Sequence, residues 1–293
     1  MPVILDGKKI ASEIRLEIKE KVGKLSQEKG VVPGLAFVTA GEDPASSSYV
    51  GMKEKACKEV GIRSWQFSFP ALVPEKQILD TLHDLNSDYN VHGILVQLPL
   101  PVGLDTHKVL SAMNPEKDVD GFHPVNMGKL LLGHVGFVPC TPAGILELLT
   151  RSGGTWEGKD VVIVGRSNIV GKPLAALLMQ RRKAGNATIT VCHTATRDIA
   201  AHTRRADVVV VAIGKALFLK ADMVHEGVTV IDVGINRVED SAKKSGYRLV
   251  GDVDFDEVAP RAAAISPVPG GVGPMTIAML LSNTLLAAEA ALR

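Results

Sequence analysis

Asp160-Val-Val-Ile-Val-Gly165-Arg-Ser-Asn-Ile-Val-Gly171-Lys-Pro173 is the stretch on which the reading of the fold turns. Asp160–Val164 is apolar without alternation after its first residue, as a strand covered on both faces must be. Two glycines then turn the chain, and Pro173 suits the first turn of a helix. Three further runs share this grammar: Thr188–Cys192, residues 207–212 (Asp-Val-Val-Val-Val-Ala) and residues 228–233 (Val-Thr-Val-Ile-Asp-Val). Helical segments such as residues 173–181 separate them. Valine-rich strands alternating with helices predict a Rossmann-like, doubly wound nucleotide-binding domain over residues 141–274. The chain closes on a long apolar-faced helix, residues 274–292, expected to pack back on the first domain or to span both.

Working outward, the first half also alternates helix and strand. Ile10, Ile14, Ile18 and Val22 recur every four residues among charged neighbours, an amphipathic helix that Gly30 ends. Residues 34–39 (Gly-Leu-Ala-Phe-Val-Thr) read as a buried strand and residues 62–69 as an alternating one. Residues 75–85 read as a helix, and residues 93–98 (Gly-Ile-Leu-Val-Gln-Leu) as a strand stopped by Pro99 and Pro101. The expected fold class is therefore α/β with two domains: residues 1–140 plus 275–293 as an N-terminal α/β domain, and residues 141–274 as the nucleotide domain.

The 293 residues suffice for two cores. With 46% hydrophobic and 22% charged residues the chain is of ordinary globular composition, and a net charge of +1 offers no field for nucleic acid or an anionic membrane. Cys57, Cys140 and Cys192 are too few and too far apart for a disulfide framework, which fits a reducing, cytoplasmic setting. No CxxC or HExxH spacing points to a metal. Charged residues from Asp6 to Arg15 break up the N-terminus before any long apolar run, so neither a signal peptide nor a membrane span is expected.

The turn after residue 164 is not the dinucleotide GxGxxG, because Ser167 stands at the second glycine. Nor is it a P-loop: five residues separate Gly165 from Gly171, and proline follows Lys172. Alone it reads equally as a ligand-free junction. Its place at the first βα junction of the series, where such folds bind their ligand, favours a nucleotide. The second strand ends Cys192-His193-Thr194 without the carboxylate that grips an NAD ribose, while Arg166 and Arg197 stand near. NADP is preferred over NAD.

Residues 43–61 form a bounded helix: Asp43 as cap, Pro44 at the first position, Gly61 at the exit. At about 100° per residue, Tyr49, Met52, Ala56 and Val60 make one apolar stripe, and Lys53 falls inside it, roughly 40° from Tyr49. Such a lysine either snorkels to water or faces a pocket, where desolvation lowers its pKa and makes it a usable acid/base. Gln97 interrupts an apolar strand end. Asp118 and Asp120, in Lys117-Asp-Val-Asp120-Gly121, are turn formers or site residues, and a metal there lacks a third ligand. Pro267-Val-Pro269-Gly270-Gly-Val-Gly273-Pro274-Met-Thr276 is either a domain crossover or a close-approach backbone for a planar ligand.

Together these segments resemble the methylenetetrahydrofolate dehydrogenase/methenyltetrahydrofolate cyclohydrolase family. The resemblance is carried by Tyr49-x-x-x-Lys53, the segment from Glu75 through Gln97-Leu-Pro-Leu100, Lys117-Asp-Val-Asp120-Gly121, Pro139-Cys-Thr-Pro142, Gly165-Arg-Ser167, Asp232-Val-Gly-Ile-Asn236 and residues 269–276, in family order along essentially the whole chain. It implies a bifunctional enzyme that oxidises 5,10-methylenetetrahydrofolate with NADP and hydrolyses the methenyl product to 10-formyltetrahydrofolate. It further implies Lys53 as acid/base tuned by Gln97 and Tyr49, and Asp120 as the pterin anchor. Val96, Leu98, Pro269, Gly270, Gly271, Val272 and Gly273 would contact the folate. Gly165, Arg166, Ser167, Thr194 and Ile235 would hold NADP, and the assembly would be a homodimer joined through the nucleotide domains. A dehydrogenase without hydrolysis, or a non-catalytic nucleotide-binding regulator on the same fold, are the competing readings.

Overall fold

The structure, a computed structural model, describes residues 1–293 except 42–43, 135, 183, 242–245 and 293, with only the backbone of residues 44–48. The expected cap Asp43 lies outside the described residues. In chain order the first elements are β1 (Val3–Ile4), α1 (Gly7–Lys29), β2 (Gly34–Ala40), α2 (Pro44–Val60), β3 (Arg63–Phe69), α3 (Glu75–Ser87), β4 (Gly93–Val96), α4 (Thr106–Ser111) and α5 (Pro124–Leu132). There follow α6 (Cys140–Arg151), β5 (Asp160–Val164), α7 (Gly171–Leu178), β6 (Thr188–Cys192), α8 (Ile199–Thr203), β7 (Val208–Val211) and β8 (Val228–Asp232). The chain ends with β9 (Asn236–Glu239), β10 (Tyr247–Val250), α9 (Phe255–Val258), β11 (Ala262–Ile265) and α10 (Val272–Ala290).

The chain divides into two units: Ser12–Cys140 with Ile277–Arg293, and Met1–Ala11 with Thr141–Thr276. Residues 1–11 thus depart from the expected division, which grouped them with the first half. Val3 and Ile4 pair in parallel with Ala264 and Ile265, and Leu5 N–H donates to Ile265 O at 2.9 Å. A two-residue strand leaves no periodicity to read.

In the first unit β2 lies between β3 and β4, all parallel. Its core residues Leu35, Phe37, Ile94 and Leu95 are 0–1% exposed. α2 ends at Gly61, whose φ of +82° is the left-handed cap conformation. Gly61 N–H reaches Lys58 O and Ile62 N–H reaches Cys57 O, the paired bonds of a Schellman motif.

In the second unit the sheet order is β1-β11-β8-β7-β5-β6, parallel throughout. The chain leaves β5 to one side for β6 and returns to its other side for β7, so the topological switch point lies at β5. Contrary to the expectation of strands buried on both faces, β6 ends the sheet and leaves Thr188 and Val191 exposed. The antiparallel β9–β10 pair was unforeseen, for its four-residue strands carry Arg237, Glu239 and Arg248. By length and composition α10 is apolar enough to cross a membrane, yet 67% of that stretch is buried inside the protein, as a core helix is.

Candidate active site

α2 brings Lys53 inward. Lys53 is 5% exposed, flanked by Val50, Ala56, Cys57 and Val60, each at 2% or less. Met52, expected in the same stripe, is 46% exposed; the buried face is centred on Lys53 itself. Lys53 Nζ donates to Gln97 Oε1 at 2.9 Å and stands 5.6 Å from the centre of the Tyr49 ring. Gln97 is oriented by its other end: Nε2 donates to Leu98 O at 2.8 Å, so only its oxygen can face the lysine. Its backbone N–H continues the ladder to Val38 O, one residue past the end of β4, where Val96 pairs with Val38. Val96 is buried; Tyr49, Gln97 and Leu98 are partly so.

Residues 117–121 run alongside β4 through an Ile94–Asp118 bridge, which delivers Asp120 to the same end of the strand. The two aspartates of this loop divide the work. Asp118 is wholly buried and accepts from the N–H groups of Gly121, Phe122 and His123 and from Asn126 Nδ2 at 2.7–3.2 Å. It is the turn former. Gly121 must be glycine, with φ +77° and Pro139 N only 2.7 Å from where a Cβ would stand. Asp120 instead interacts with Lys53 and with the Cys140 thiol. The single S–H of Cys140 thus has two acceptors in reach, this carboxyl and Val119 O at 3.4 Å. Asn283 of α10 secures the loop, donating to Val119 O at 2.8 Å and Val138 O at 3.1 Å.

Burial sets the electrostatics of this cluster. Desolvation lowers the Lys53 pKa below the usual lysine value, opposed by the charge of Asp120 and by Cys140 and Cys57. The same burial raises Asp120, against which Lys53 and the Cys140 thiol act, and raises Tyr49. Cys57 is pushed up to about 12 and Cys140 well above the usual thiol value. An amine beside a carboxyl, both with lowered preference for charge, is an arrangement suited to passing a proton.

The second unit holds the other predicted residues. Gly165, at the carboxyl end of β5, donates its N–H to Cys192 O at 2.9 Å, so the residue 165–167 turn and the residue 193–197 loop share one sheet edge. Gly165 has φ +130°, and a Cβ there would stand 2.2 Å from Ala212 O. Arg166, Ser167, Thr194, Arg197 and Ile235 are exposed along this edge. The backbone N–H groups at the start of α7 are partly used: Ser167 Oγ accepts from Val170 N at 3.1 Å and Gly171 N at 3.5 Å, and Lys172 N donates to Ser167 O. An anion would therefore be met by the open turn and Arg166 more than by the first turn of α7. These residues fit a dinucleotide phosphate: an exposed, glycine-shaped turn at the switch point with a cation in it.

Residues 269–273 are less open than expected. Gly270 O accepts from Lys8 N at 3.0 Å and Gly271 N–H is spent on Pro267 O at 2.8 Å. Gly270, Gly271 and Val272 are buried, Gly273 partly, and Pro269 exposed. Gly7 and Gly271 approach so closely that a Cβ on Gly7 would overlap Gly271 O. Part of this glycine content is packing.

The structure thus brings Tyr49, Lys53, Val96, Gln97, Leu98 and Asp120 together in one unit, and the turn, Thr194, Ile235 and residues 269–273 belong to the other. Sequence reading gave Cys140 and Asn283 no role. Nothing but pairing in space reveals them, although Cys140 lies within one of the motifs that carry the family resemblance.

Comparison with known proteins agrees over the full length. Residues 5–120 match the family described as tetrahydrofolate dehydrogenase/cyclohydrolase, catalytic domain, and residues 139–292 match its NAD(P)-binding domain. The bifunctional protein FolD of Chlorobium phaeovibrioides is 56% identical over 285 residues, 97% of each chain. The solved bifunctional enzyme FolD-methylenetetrahydrofolate dehydrogenase/cyclohydrolase of Campylobacter jejuni is 48% identical with a TM-score of 0.93 over 99% of both chains. The Trypanosoma brucei N5,N10-methylenetetrahydrofolate dehydrogenase-cyclohydrolase, solved with NADP cofactor and inhibitor, is 42% identical with a TM-score of 0.94, covering 100% of this chain and 99% of its own. With both family domains matched in order, the first containing Lys53, Gln97 and Asp120 and the second the Gly165 turn, the chain belongs to the tetrahydrofolate dehydrogenase/cyclohydrolase family.

Proposed function

We propose that the protein oxidises 5,10-methylenetetrahydrofolate to the 5,10-methenyl form with NADP⁺ and hydrolyses that product to 10-formyltetrahydrofolate. The observation that carries this reading is the Lys53 amine, 5% exposed, 2.9 Å from Gln97 Oε1 and electrostatically coupled to Asp120. Bound NADP⁺ supplies the hydride acceptor, and Gly165, Arg166, Ser167, Thr194 and Ile235 are the residues that would hold it.

The two reactions ask different things of the cluster. Hydride leaves the methylene carbon as a ring-nitrogen lone pair forms the new C–N double bond, so this step demands positioning but no proton. Asp120 can accept the amino and amide-like donors of the pterin in a paired, directional way. Hydrolysis demands proton transfer twice. Water attacks the methenyl carbon and gives one proton to the Lys53 amine. The resulting ammonium protonates the ring nitrogen, whose bond to that carbon breaks as the new hydroxyl loses its proton to solvent and becomes the formyl C=O, so one proton is released per turnover. A buried lysine whose neutral form is favoured serves as base first and acid second. Gln97, locked by Leu98, accepts from the amine in either state and keeps it aimed. The family resemblance alone supports assigning residues 269–273 to the folate.

The test is turnover with methylenetetrahydrofolate and NADP⁺ or NAD⁺, followed by the decay of methenyl absorbance. NADP⁺ reduction followed by decay faster than the spontaneous rate is the expected result. Reduction without accelerated decay would leave a dehydrogenase alone, and the absence of both would leave a nucleotide-binding protein. We further propose a cytoplasmic homodimer. The three cysteines are free and buried, and β6 ends its sheet with an edge available to a second copy. A solution mass of twice 31.1 kDa by light scattering is expected.

A further inference from the structure

Behind the nucleotide-side residues, wholly out of solvent, lies a pair of carboxyl groups that the proposed chemistry does not use. Asp252 is 0% exposed and Asp232 3%. Asp252 Oδ2 accepts from Ile213 N at 2.7 Å and Gly214 N at 2.9 Å, in the loop that leaves β7, while Oδ1 accepts from Asn236 Nδ2 at 2.9 Å, just past β8. Asp232, the last residue of β8, accepts from Gly234 N, Asp252 N and Val253 N at 2.9–3.0 Å. The knot admits no side chain at its glycines. A Cβ on Gly234 would lie 2.2 Å from Asp252 Oδ1, and one on Gly251 would lie 1.7 Å from Asp232 Oδ2.

Both loops tied by Asp252 bear on the cofactor residues. The β7 loop presents Ala212 O to Gly165, the contact that obliges that turn to be glycine. The β8 loop carries Ile235 between Gly234 and Asn236, each bonded to one aspartate of the pair.

We infer that Asp252 is a positioning residue of the dinucleotide site: without touching the ligand, its carboxyl fixes the residue 212–214 and 233–236 loops against each other and so sets the shape of the Gly165 turn and the place of Ile235. This rests on the reading of Gly165, Arg166, Ser167 and Ile235 as the cofactor site. Asparagine at this position can reproduce the pattern, with its oxygen accepting from Ile213 and Gly214 and its amide donating to a flipped Asn236. Alanine cannot.

Hydrolysis of methenyltetrahydrofolate consumes no dinucleotide, and Lys53, Gln97 and Asp120, to which its proton transfers are assigned, lie in the other unit, so its rate reports on the fold separately from dinucleotide binding. The experiment measures NADP⁺ binding by titration calorimetry, cyclohydrolase rate without cofactor, and thermal stability, for Asp252→Ala, Asp252→Asn and Asn236→Ala. Loss of a charge-assisted acceptor predicts about tenfold or greater weakening of NADP⁺ binding in Asp252→Ala. Its cyclohydrolase should stay within about twofold of wild type, and Asp252→Asn should recover most of the affinity. Asn236→Ala, which cuts one arm only, should weaken binding by about threefold and serves if the alanine variant does not fold. Unchanged NADP⁺ affinity in both alanine variants, or parallel loss of binding and hydrolysis uncorrected by asparagine, would overturn the inference. Failure of the wild-type protein to bind NADP⁺ would instead overturn the assignment of the cofactor site.

Discussion

Lys53 shows how a single side chain acquires chemistry from its surroundings. Helix geometry places it within an apolar stripe but leaves snorkelling open; 5% exposure and the bond to Gln97 close that route. Methionine at this position keeps the stem and loses the amine. Lys53→Met is expected to lower cyclohydrolase activity at least roughly a hundredfold, the scale of general acid/base catalysis, while dehydrogenase activity stays measurable and methenyltetrahydrofolate accumulates. Hydrolysis at the wild-type rate would make Lys53 a packing residue. Arg166 stands out because no carboxylate ends β6, and it is exposed in the turn beside the residue 193–197 loop. Removing a charged partner of the 2′-phosphate costs on the order of 1.5–3 kcal/mol, so Arg166→Ala should raise the KM for NADP⁺ about tenfold or more and hardly alter that for NAD⁺. Equal loss with both cofactors would assign Arg166 to the shared pyrophosphate. Asp118 and Asp120 look interchangeable in sequence, two residues apart in a turn. Only the structure separates them: the first is spent on the hydrogen bonds of the turn, and the second interacts with Lys53 and Cys140.

Elements were legible where their signal was long or periodic. α1 follows its every-fourth-residue pattern, with Ile10, Ile14, Ile18 and Val22 at 3–6% exposure, and Gly30 closes it at φ +67°. Within it Gly23 is helical, and a Cβ added there would meet nothing within 4 Å, so Gly23→Ala should stabilise the protein by about 0.5–1 kcal/mol. Gly121 is the opposite case. Its positive φ and the approach of Pro139 N predict that Gly121→Ala costs about 2 kcal/mol or more and displaces the loop that carries Asp120. Urea denaturation of the two variants measures both, and a neutral Gly121→Ala would mean the loop shifts freely. Short elements were not legible: β1 has two residues, and β9 and β10 are charged four-residue strands whose pairing, not their composition, makes them strands.

At the scale of the whole molecule, buried acids shape the response to pH. Burial raises Asp118 to about 6 and Asp232 to about 7, from an ordinary 3.8. Between those limits the folded state binds more protons than the unfolded chain, so both groups make stability fall as pH rises from about 4 to about 7. His92, lowered by desolvation, works the other way below its ordinary 6.5, and Lys53 does so at higher pH. Asp118 and Asp232, with Asp120 raised in the same direction, against one histidine predict a net decline on the order of a few kcal/mol across that window, read by urea unfolding at successive pH values. Asp118→Asn should flatten the slope, and stability rising steadily from pH 4 to pH 7 would refute the account. What the sequence by itself determined was the alternation of strand and helix, the glycine turn at a βα junction, the inward lysine and the family, because these rest on local periodicity, backbone freedom and contiguous motifs. Tertiary structure decided the rest: that residues 1–11 join the second unit, that Cys140 and Asn283 brace the Asp120 loop, and that Asp232 and Asp252 knot two loops together. Those are pairings between residues far apart in sequence, such as Val3 with Ala264, 261 positions on, and burial plus hydrogen-bond geometry assigns them where no local pattern can.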